Sequence, residues 1–263
     1  MNKIISKTSA GVSVTQRIKA VKQPRGGYVR PRDLEKIQLD GGGIEELPDE
    51  NVHAALVGIA VDYLTRFVTG TSVREAFKIS HMGASVLGAS HVATCERLME
   101  EVKGLDDASI RAAVKLSGFD SAFRAGAIAY RSVEDIEPDA DCISHIRIMV
   151  ERSVSFFEQY GPKVLDGLTF EGGYTDVVST GDGDFMTADT LWDFKVSKTA
   201  PKTAHTLQLL MYWRMGLHST HPEYSSVKYL GLYNPRMNIV YRYDVANLSQ
   251  DVIDAVEKEV IGY

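Results

Sequence analysis

The hydrophobic pattern of this 263-residue chain changes its period once, at Gly161-Pro162. Before that point apolar residues recur at steps of three and four, as in Leu56, Ile59 and Ala60, which is typical of amphipathic helices. After it, short runs of β-branched and aromatic residues alternate with turn signals. The order from residue 141 is αβββαβ, with one extra strand and helix, and this order predicts an α/β fold.

The elements expected after residue 140 follow from these runs and the breakers between them. Gly181-Asp182-Gly183 indicates a hairpin between the first two strands, and Gly161-Pro162 ends the first helix. The sequence predicts strands over 168–178, 184–187, 191–197, 227–233 and 239–243, and helices over 141–160, 204–217 and 249–260.

Upstream of this core the pattern is mainly helical, with helices expected from Pro48 onward and over 73–79, 83–103 and 107–116. Gly41-Gly42-Gly43 and Pro48 mark a linker. We therefore expect three regions: a basic N-terminal arm and linker over 1–48, a helical region over 49–140 that packs on the core, and the core over 141–263.

Charge is distributed unevenly along the chain. The net charge is −6, which does not suit a generic basic nucleic-acid binder, yet residues 1–36 carry +7 and the rest carries −13. This arm contains Arg25 and Tyr28 beside two glycines and could follow a phosphate backbone. It could also be a solvated tail or an arm docked on the acidic body.

Composition excludes several other classes. With 44% hydrophobic and 24% charged residues the chain is typical of a soluble globular protein. No apolar run approaches the roughly 20 residues of a bilayer span, and no signal peptide is apparent, so we expect no membrane partner and a cytoplasmic location. Cys95 and Cys142 suffice for neither a disulfide framework nor a cysteine zinc cage.

The strand over 191–197 combines charged and apolar residues. Residues i and i+2 of a strand point to the same face, so Asp193 and Lys195 share one face while Trp192, Phe194 and Val196 occupy the other. Burying a carboxylate and an ammonium is costly unless they pair or bind something. These two residues are therefore candidates for a site.

A second carboxylate, Asp184, precedes Asp193 by nine residues and would lie near it if the two strands pair. Two convergent carboxylates favour a hard divalent cation, Mg²⁺ or Mn²⁺. Lys195 could orient water or stabilise charge on a phosphate. Glu151 or Glu158, two turns apart on one flank of the helix over 141–160, could complete the metal shell.

Three motifs make this chain resemble the PD-(D/E)XK nuclease superfamily, most closely its RecB-like branch, which includes phage exonucleases and CRISPR adaptation nucleases. They are Gly181-Asp-Gly-Asp184, Thr190-Leu-Trp-Asp-Phe-Lys195 and Gln208-x-x-x-Tyr212, and the resemblance covers about residues 141–235. It implies a restriction-endonuclease-like αβββαβ core whose mixed four-stranded sheet is flanked by helices.

The same resemblance implies roles for residues. Asp184 and Asp193 would be metal ligands, Lys195 the catalytic lysine, and Gln208 with Tyr212 the helix motif that contacts a DNA end or positions the active site. The implied chemistry is Mg²⁺-dependent hydrolysis of phosphodiester bonds.

Two assignments stay open within this resemblance. Asp176 is a rival to Asp184, although its 17-residue separation from Asp193 is long for this branch and favours Asp184. The helix acid is unassigned between Glu151 and Glu158. His145, the residue type that some RecB-like enzymes use at that position, points away from their flank.

Three functions are compatible with the sequence. The first is a metal-dependent nuclease that acts on DNA. The second is a catalytically silent module with a nuclease fold that binds nucleic acid or a protein. In the third, Asp193 and Lys195 are only a salt-bridged pair in a scaffold protein.

Overall fold

The structure is a computed structural model and describes residues 11–39 and 47–263. The predicted linker Gly41-Gly42-Gly43 lies outside the described residues. The chain divides into two compact units, the first containing the chain up to Leu39 together with Tyr160–Asn234 and Ile239–Tyr263. The second contains the middle of the chain, of which residues 47–159 are described, together with Pro235–Asn238. This division differs from the predicted boundaries at 48/49 and 140/141, because residues 11–39 belong to the unit that holds the strands.

The described residues form eight strands and ten α-helices. The strands are β1 Val12–Ser13, β2 Glu35–Gln38, β3 Leu165–Leu168, β4 Val178–Thr180, β5 Gly183–Met186, β6 Thr190–Phe194, β7 Tyr229–Asn234 and β8 Ile239–Asp244. The helices are α1 Val14–Ala20, α2 Ala54–Val68, α3 Val73–Ala76, α4 Lys78–Leu87, α5 Ala89–Glu101, α6 Asp107–Ser117, α7 Asp120–Ala125, α8 Ala140–Tyr160, α9 Thr203–Leu217 and α10 Gln250–Ala255.

Six of the strands form a mixed open sheet in the first unit, in the order β2-β8-β7-β6-β5-β3. Strands β6 and β7 are parallel, and the other neighbours in this sheet are antiparallel. Two parallel neighbours need a crossover connection, which α9 supplies. The predicted α/β class with a mixed sheet is therefore confirmed.

Helix α9 is buried around most of its circumference, including Leu207, Leu210, Met211, Trp213 and Met215. A helix with apolar residues on all sides belongs in a core. It packs against β6 and β7 in the first unit, and this position brings polar side chains on α9 to the same strands.

The predicted strand over 168–178 is wrong. The chain turns after β3, where the Gly173 amide donates to the Phe170 carbonyl (2.8 Å) and Gly172 takes a φ of +90°. Gly173 also lies against the Met215 carbonyl, which leaves no room for a side chain. The close approach of α9 therefore ends the extended run.

The predicted hairpin at Gly181-Asp182-Gly183 is also wrong, because the strands on either side of it do not pair with each other. Strand β4 pairs in parallel with β1 in a separate two-stranded sheet, whereas β5 pairs with β3 and β6. The glycines mark a change of sheet, which a local turn signal does not distinguish from a hairpin.

Residues 11–39 are docked within the first unit and do not form a free arm. Strand β2 pairs with β8, and the Thr206 hydroxyl donates to the Val29 carbonyl (2.7 Å). The Arg17 guanidinium donates to the carbonyls of Val260 (2.7 Å) and Glu259 (2.6 Å). Of the interpretations open for the basic segment, docking is the one observed.

The second unit is helical, as the apolar periodicity predicts, although its boundaries differ. The predicted helix over 83–103 is two helices, because Gly88 has a φ of +111° and separates α4 from α5. Helix α2 begins at Ala54 rather than near Pro48, with the His53 side chain as its cap.

Two buried carboxylates of the second unit are paired. Asp120 accepts hydrogen bonds from the hydroxyls of Tyr63 (2.6 Å) and Ser80 (2.7 Å). Glu50 pairs with Arg236 and lies 3.1 Å from Nδ1 of the buried His145. We assign these groups to stability. In the described ranges no helix has the length and hydropathy of a membrane span.

Candidate active site

The candidate site is built on β6, which lies between β5 and β7. One side chain of β6, Trp192, is fully buried, stacks on Phe185 and donates from Nε1 to the Thr187 hydroxyl (2.9 Å). Because neighbouring residues on a strand face opposite sides, an anchored Trp192 fixes the direction of Asp193.

Asp193 and Lys195 form an ion pair, as their i, i+2 spacing predicts. The Lys195 Nζ lies 3.0 Å from Oδ1 and 2.8 Å from Oδ2 of Asp193. The Asp193 side chain is 3% exposed and that of Lys195 is 32% exposed. The ammonium is thus held at the edge of the core, where it can also reach a molecule in solution.

Asp184 lies beside this pair. Strands β5 and β6 pair Phe185 with Trp192, and the same antiparallel register continued by one residue places Asp184 opposite Asp193. The Asp184 carboxylate accepts a hydrogen bond from the Phe194 amide (2.5 Å). Three residues predicted from two motifs therefore come together at one end of the β5–β6 pair.

The carboxylates determine the charge of Lys195. Burial by itself lowers the pKa of this ammonium, but the negative charges of Asp193, Asp184 and Asp182 outweigh that effect and raise its pKa above 10.5. Lys195 therefore stays protonated at neutral pH.

Gln208 and Tyr212 lie one turn apart on α9, as predicted. The Gln208 amide donates to the Tyr212 hydroxyl (2.8 Å), which donates to the Asp182 carbonyl (2.5 Å). The Tyr212 ring stacks on Phe170 with centroids 5.1 Å apart. Burial, followed by the nearby Asp193 carboxylate, raises the pKa of Tyr212, so its hydroxyl stays neutral. These contacts hold the chain just before Asp184.

His205 is a neighbour that sequence reasoning missed. Burial and then the Lys195 charge lower its pKa below 6.5, and its Nδ1 accepts from the Lys202 amide (3.2 Å). With Lys195 it lines a small cavity of about 10 Å³. The available signal was helical spacing, since His205 precedes Gln208 by three residues and so shares its face.

The donor set of the site consists of oxygen atoms. Oδ2 of Asp193 is buried and accepts no hydrogen bond of good geometry from the described residues, although Lys195 lies 2.8 Å away. Such an oxygen suits a hard cation such as Mg²⁺, which often takes only one or two protein carboxylates and fills its remaining positions with water or phosphate.

The other predicted acids are not gathered around this pair. Glu151 and Glu158 are exposed on α8 in the second unit, and Asp176 is exposed just before β4. Within the described ranges there is no group of three or more His, Cys, Asp or Glu side chains placed to hold a metal ion. The assignment of a helix acid as a metal ligand stays a prediction.

No protein-family model matches this sequence, and no curated protein and no solved structure shows significant similarity to it. We therefore infer the function from the geometry of Asp184, Asp193 and Lys195.

Proposed function

We propose that this protein is a metal-dependent nuclease that hydrolyses phosphodiester bonds in DNA. The observation that carries the proposal is the arrangement of Asp184 opposite Asp193, with Lys195 held 2.8–3.0 Å from the Asp193 carboxylate. Two carboxylates and a protonated lysine at a strand end are what metal-assisted phosphoryl chemistry requires.

The order of elements along the chain supports the same proposal. Without β4, which belongs to the small sheet, the chain runs α8, β3, β5, β6, α9, β7. This is the αβββαβ order expected of a restriction-endonuclease-like core. The carboxylates come from its second and third strands, and the Gln208–Tyr212 pair comes from the following helix.

Asp184 and Asp193 are the residues that would hold Mg²⁺ or Mn²⁺. The carboxylate oxygens of both residues are the hard ligands that such an ion prefers, and Oδ2 of Asp193 is buried beside Lys195, 2.8 Å away. A bound divalent cation supplies polarisation of a phosphoryl oxygen and makes water more acidic.

Lys195 contributes a fixed positive charge. Its raised pKa keeps the ammonium protonated, and the ion pair with Asp193 holds it in place. Preorganised charge of this kind stabilises the negative charge that develops on a phosphate in the transition state. Gln208 and Tyr212 position the chain that precedes Asp184.

A catalytically silent binding module is the second candidate, and one observation favours it. The two proposed ligands, Asp184 and Asp193, are joined by no third metal ligand among the described residues. If two are too few to hold a metal ion, the fold would bind nucleic acid or a protein without cutting. Calorimetric titration with Mn²⁺ separates the candidates, because a silent module of this kind shows no metal affinity.

Incubation of the pure, full-length protein with linear and circular DNA tests the nuclease proposal. We expect cleavage with Mg²⁺ or Mn²⁺ and none with EDTA. Lys195→Met should slow cleavage by about 10²–10³-fold, the usual effect of removing one charge-stabilising group. Cleavage of the circular substrate would indicate an endonuclease.

Lys228→Met is the matched control, because Lys228 is an exposed lysine of the same unit. It should leave the rate unchanged. No cleavage by the wild-type protein, or equal rates for the two variants, would overturn the proposal.

A further inference from the structure

The first unit contains an open cleft of about 580 Å³ that is lined by three arginines. It lies apart from the carboxylates, and its lining residues are Arg25, Gly26, Arg30, Pro31, Arg32 and Thr203. We call it the arginine cleft. Among the residues that the structure describes, its lining contains no acidic side chain, in a protein whose net charge is −6.

Local backbone chemistry presents these arginines to solvent. The Gly27 amide donates to the Pro24 carbonyl (2.8 Å), and Gly26 takes a φ of +89°, which the third position of a type II turn requires. Arg25 is therefore at the exposed tip of a turn. It makes no hydrogen bond or ion pair with any residue of the described ranges, so its charge is available.

In the described part of the chain, a single carboxylate is paired with the other two arginines. Asp33 lies 2.7 Å from Arg30 and 3.9 Å from Arg32, whose side chains are 52% and 76% exposed. Exposed ion pairs of this kind are weak. The cleft therefore keeps an excess of positive charge and planar guanidinium donors, which suit the paired oxygens of a phosphate.

The cleft adjoins the candidate active site through α9. Gly27 packs on Thr203, the first residue of α9, so closely that a side chain at Gly27 would clash with it. His205, two residues further along α9, lines the small cavity that Lys195 also lines. The arginine cleft and this cavity therefore both have α9 as a wall.

On the basis of the proposed function, we propose that the arginine cleft binds the sugar–phosphate backbone of a DNA strand next to the bond that is cut. The arginines lie on two neighbouring turns within residues 25–32 and line a volume far larger than one phosphate, so they match consecutive phosphates rather than one. The contacts are with the backbone, so the cleft confers affinity without base preference.

Fluorescence anisotropy measures the affinity of the protein for a labelled oligothymidylate of 20 nucleotides. EDTA is present, so that binding is tested without cleavage. Arg25→Gln combined with Arg32→Gln should weaken binding by about tenfold or more at low salt. Because each lost phosphate contact removes about 0.7 from the slope of log K against log salt on single strands, the slope should fall by about 1.4. Arg25→Lys with Arg32→Lys should keep most of the slope.

Arg74→Gln combined with Arg131→Gln is the control, since it removes the same charge from exposed positions of the second unit. It should change neither affinity nor slope. Equal loss in the two double variants, or wild-type binding by Arg25→Gln/Arg32→Gln, would overturn the inference. Displacement of DNA by micromolar tripolyphosphate at constant ionic strength would do so too, since it would indicate a site for a small phosphate compound.

The result is independent of cleavage. Binding that depends on Arg25 and Arg32 in a protein that never cuts would refute the nuclease and keep the cleft. Metal-dependent cleavage by a protein whose DNA binding depends on neither arginine would keep the nuclease and refute the cleft.

Discussion

Asp193 is the residue for which the competing interpretations make the most different predictions. Its carboxylate is 3% exposed, is paired with Lys195 and lies opposite Asp184. A buried pair of purely structural importance loses about 3–5 kcal/mol when one partner is removed, because the other charge is left uncompensated. In a metal site, by contrast, two negatively charged carboxylates lie close together and repel each other when no metal is bound. Neutralising one of them removes that repulsion.

Divalent metal should therefore stabilise the wild-type protein through Asp193. At a Mg²⁺ or Mn²⁺ concentration about tenfold above its dissociation constant, binding to the folded state adds about 1.4 kcal/mol to the free energy of unfolding. Asp193→Asn should abolish this gain and, in EDTA, be at least as stable as the wild type. Thermal unfolding with metal and with EDTA measures both effects.

Asp251→Asn is the control for that experiment, since Asp251 is an exposed acid in the first turn of α10. It should retain the full stabilisation by metal. If metal leaves the wild-type protein unchanged and Asp193→Asn unfolds it, the ion pair is structural and the metal proposal is wrong.

At the scale of elements, the parallel pair β6–β7 sets the position of the site. Gly231 on β7 lies opposite Trp192 on β6, and a Cβ at Gly231 would come within 2.3 Å of the Trp192 ring. The glycine thus leaves room for the ring that directs Asp193 to the other face of the strand.

Gly231→Ala should lower the free energy of unfolding by about 1–3 kcal/mol, the usual cost of overpacking a core. Urea unfolding measures this change. At Gly104 an added Cβ would meet nothing closer than 4.0 Å, so Gly104→Ala should be neutral or slightly stabilising. Equal stability of the two variants would mean that Trp192 can move aside, and that it does not fix the site.

At the scale of the whole molecule, residues 11–39 are part of the folded first unit. Helix α1 is tied to the C-terminal segment by Arg17, whose guanidinium donates to the carbonyls of Val260 and Glu259. These residues are more than 240 positions apart in the sequence. Deleting the segment would therefore damage the fold, and the arginine cleft is better tested by point substitutions, such as the Arg25→Gln/Arg32→Gln pair.

Arg17→Ala should lower the free energy of unfolding by about 1.5–3 kcal/mol, because it removes hydrogen bonds from a charged donor. Lys19→Ala, at an exposed position of the same helix, should change it by less than about 0.5 kcal/mol. Chemical denaturation of both variants provides the comparison. Equal effects would mean that the contact between the two termini contributes nothing to stability.

Local patterns in the sequence carried the prediction of the class and of several elements. Apolar spacing predicted α8, and the i, i+2 rule brought Asp193 and Lys195 to one face. Each of these depends on backbone periodicity, which is a property of a few neighbouring residues.

What the sequence by itself determined is thus the α/β class, long helices such as α8 and α9, and the placement of Asp193 and Lys195 on one face of a strand. The tertiary structure alone decided that 168–178 is no single strand, that β4 pairs with β1, that residues 11–39 are docked, and that His205 adjoins Lys195. These features depend on contacts between residues far apart in the chain, such as Gly173 against Met215. Local propensity carries no information about such contacts, because their energy arises only when distant segments meet.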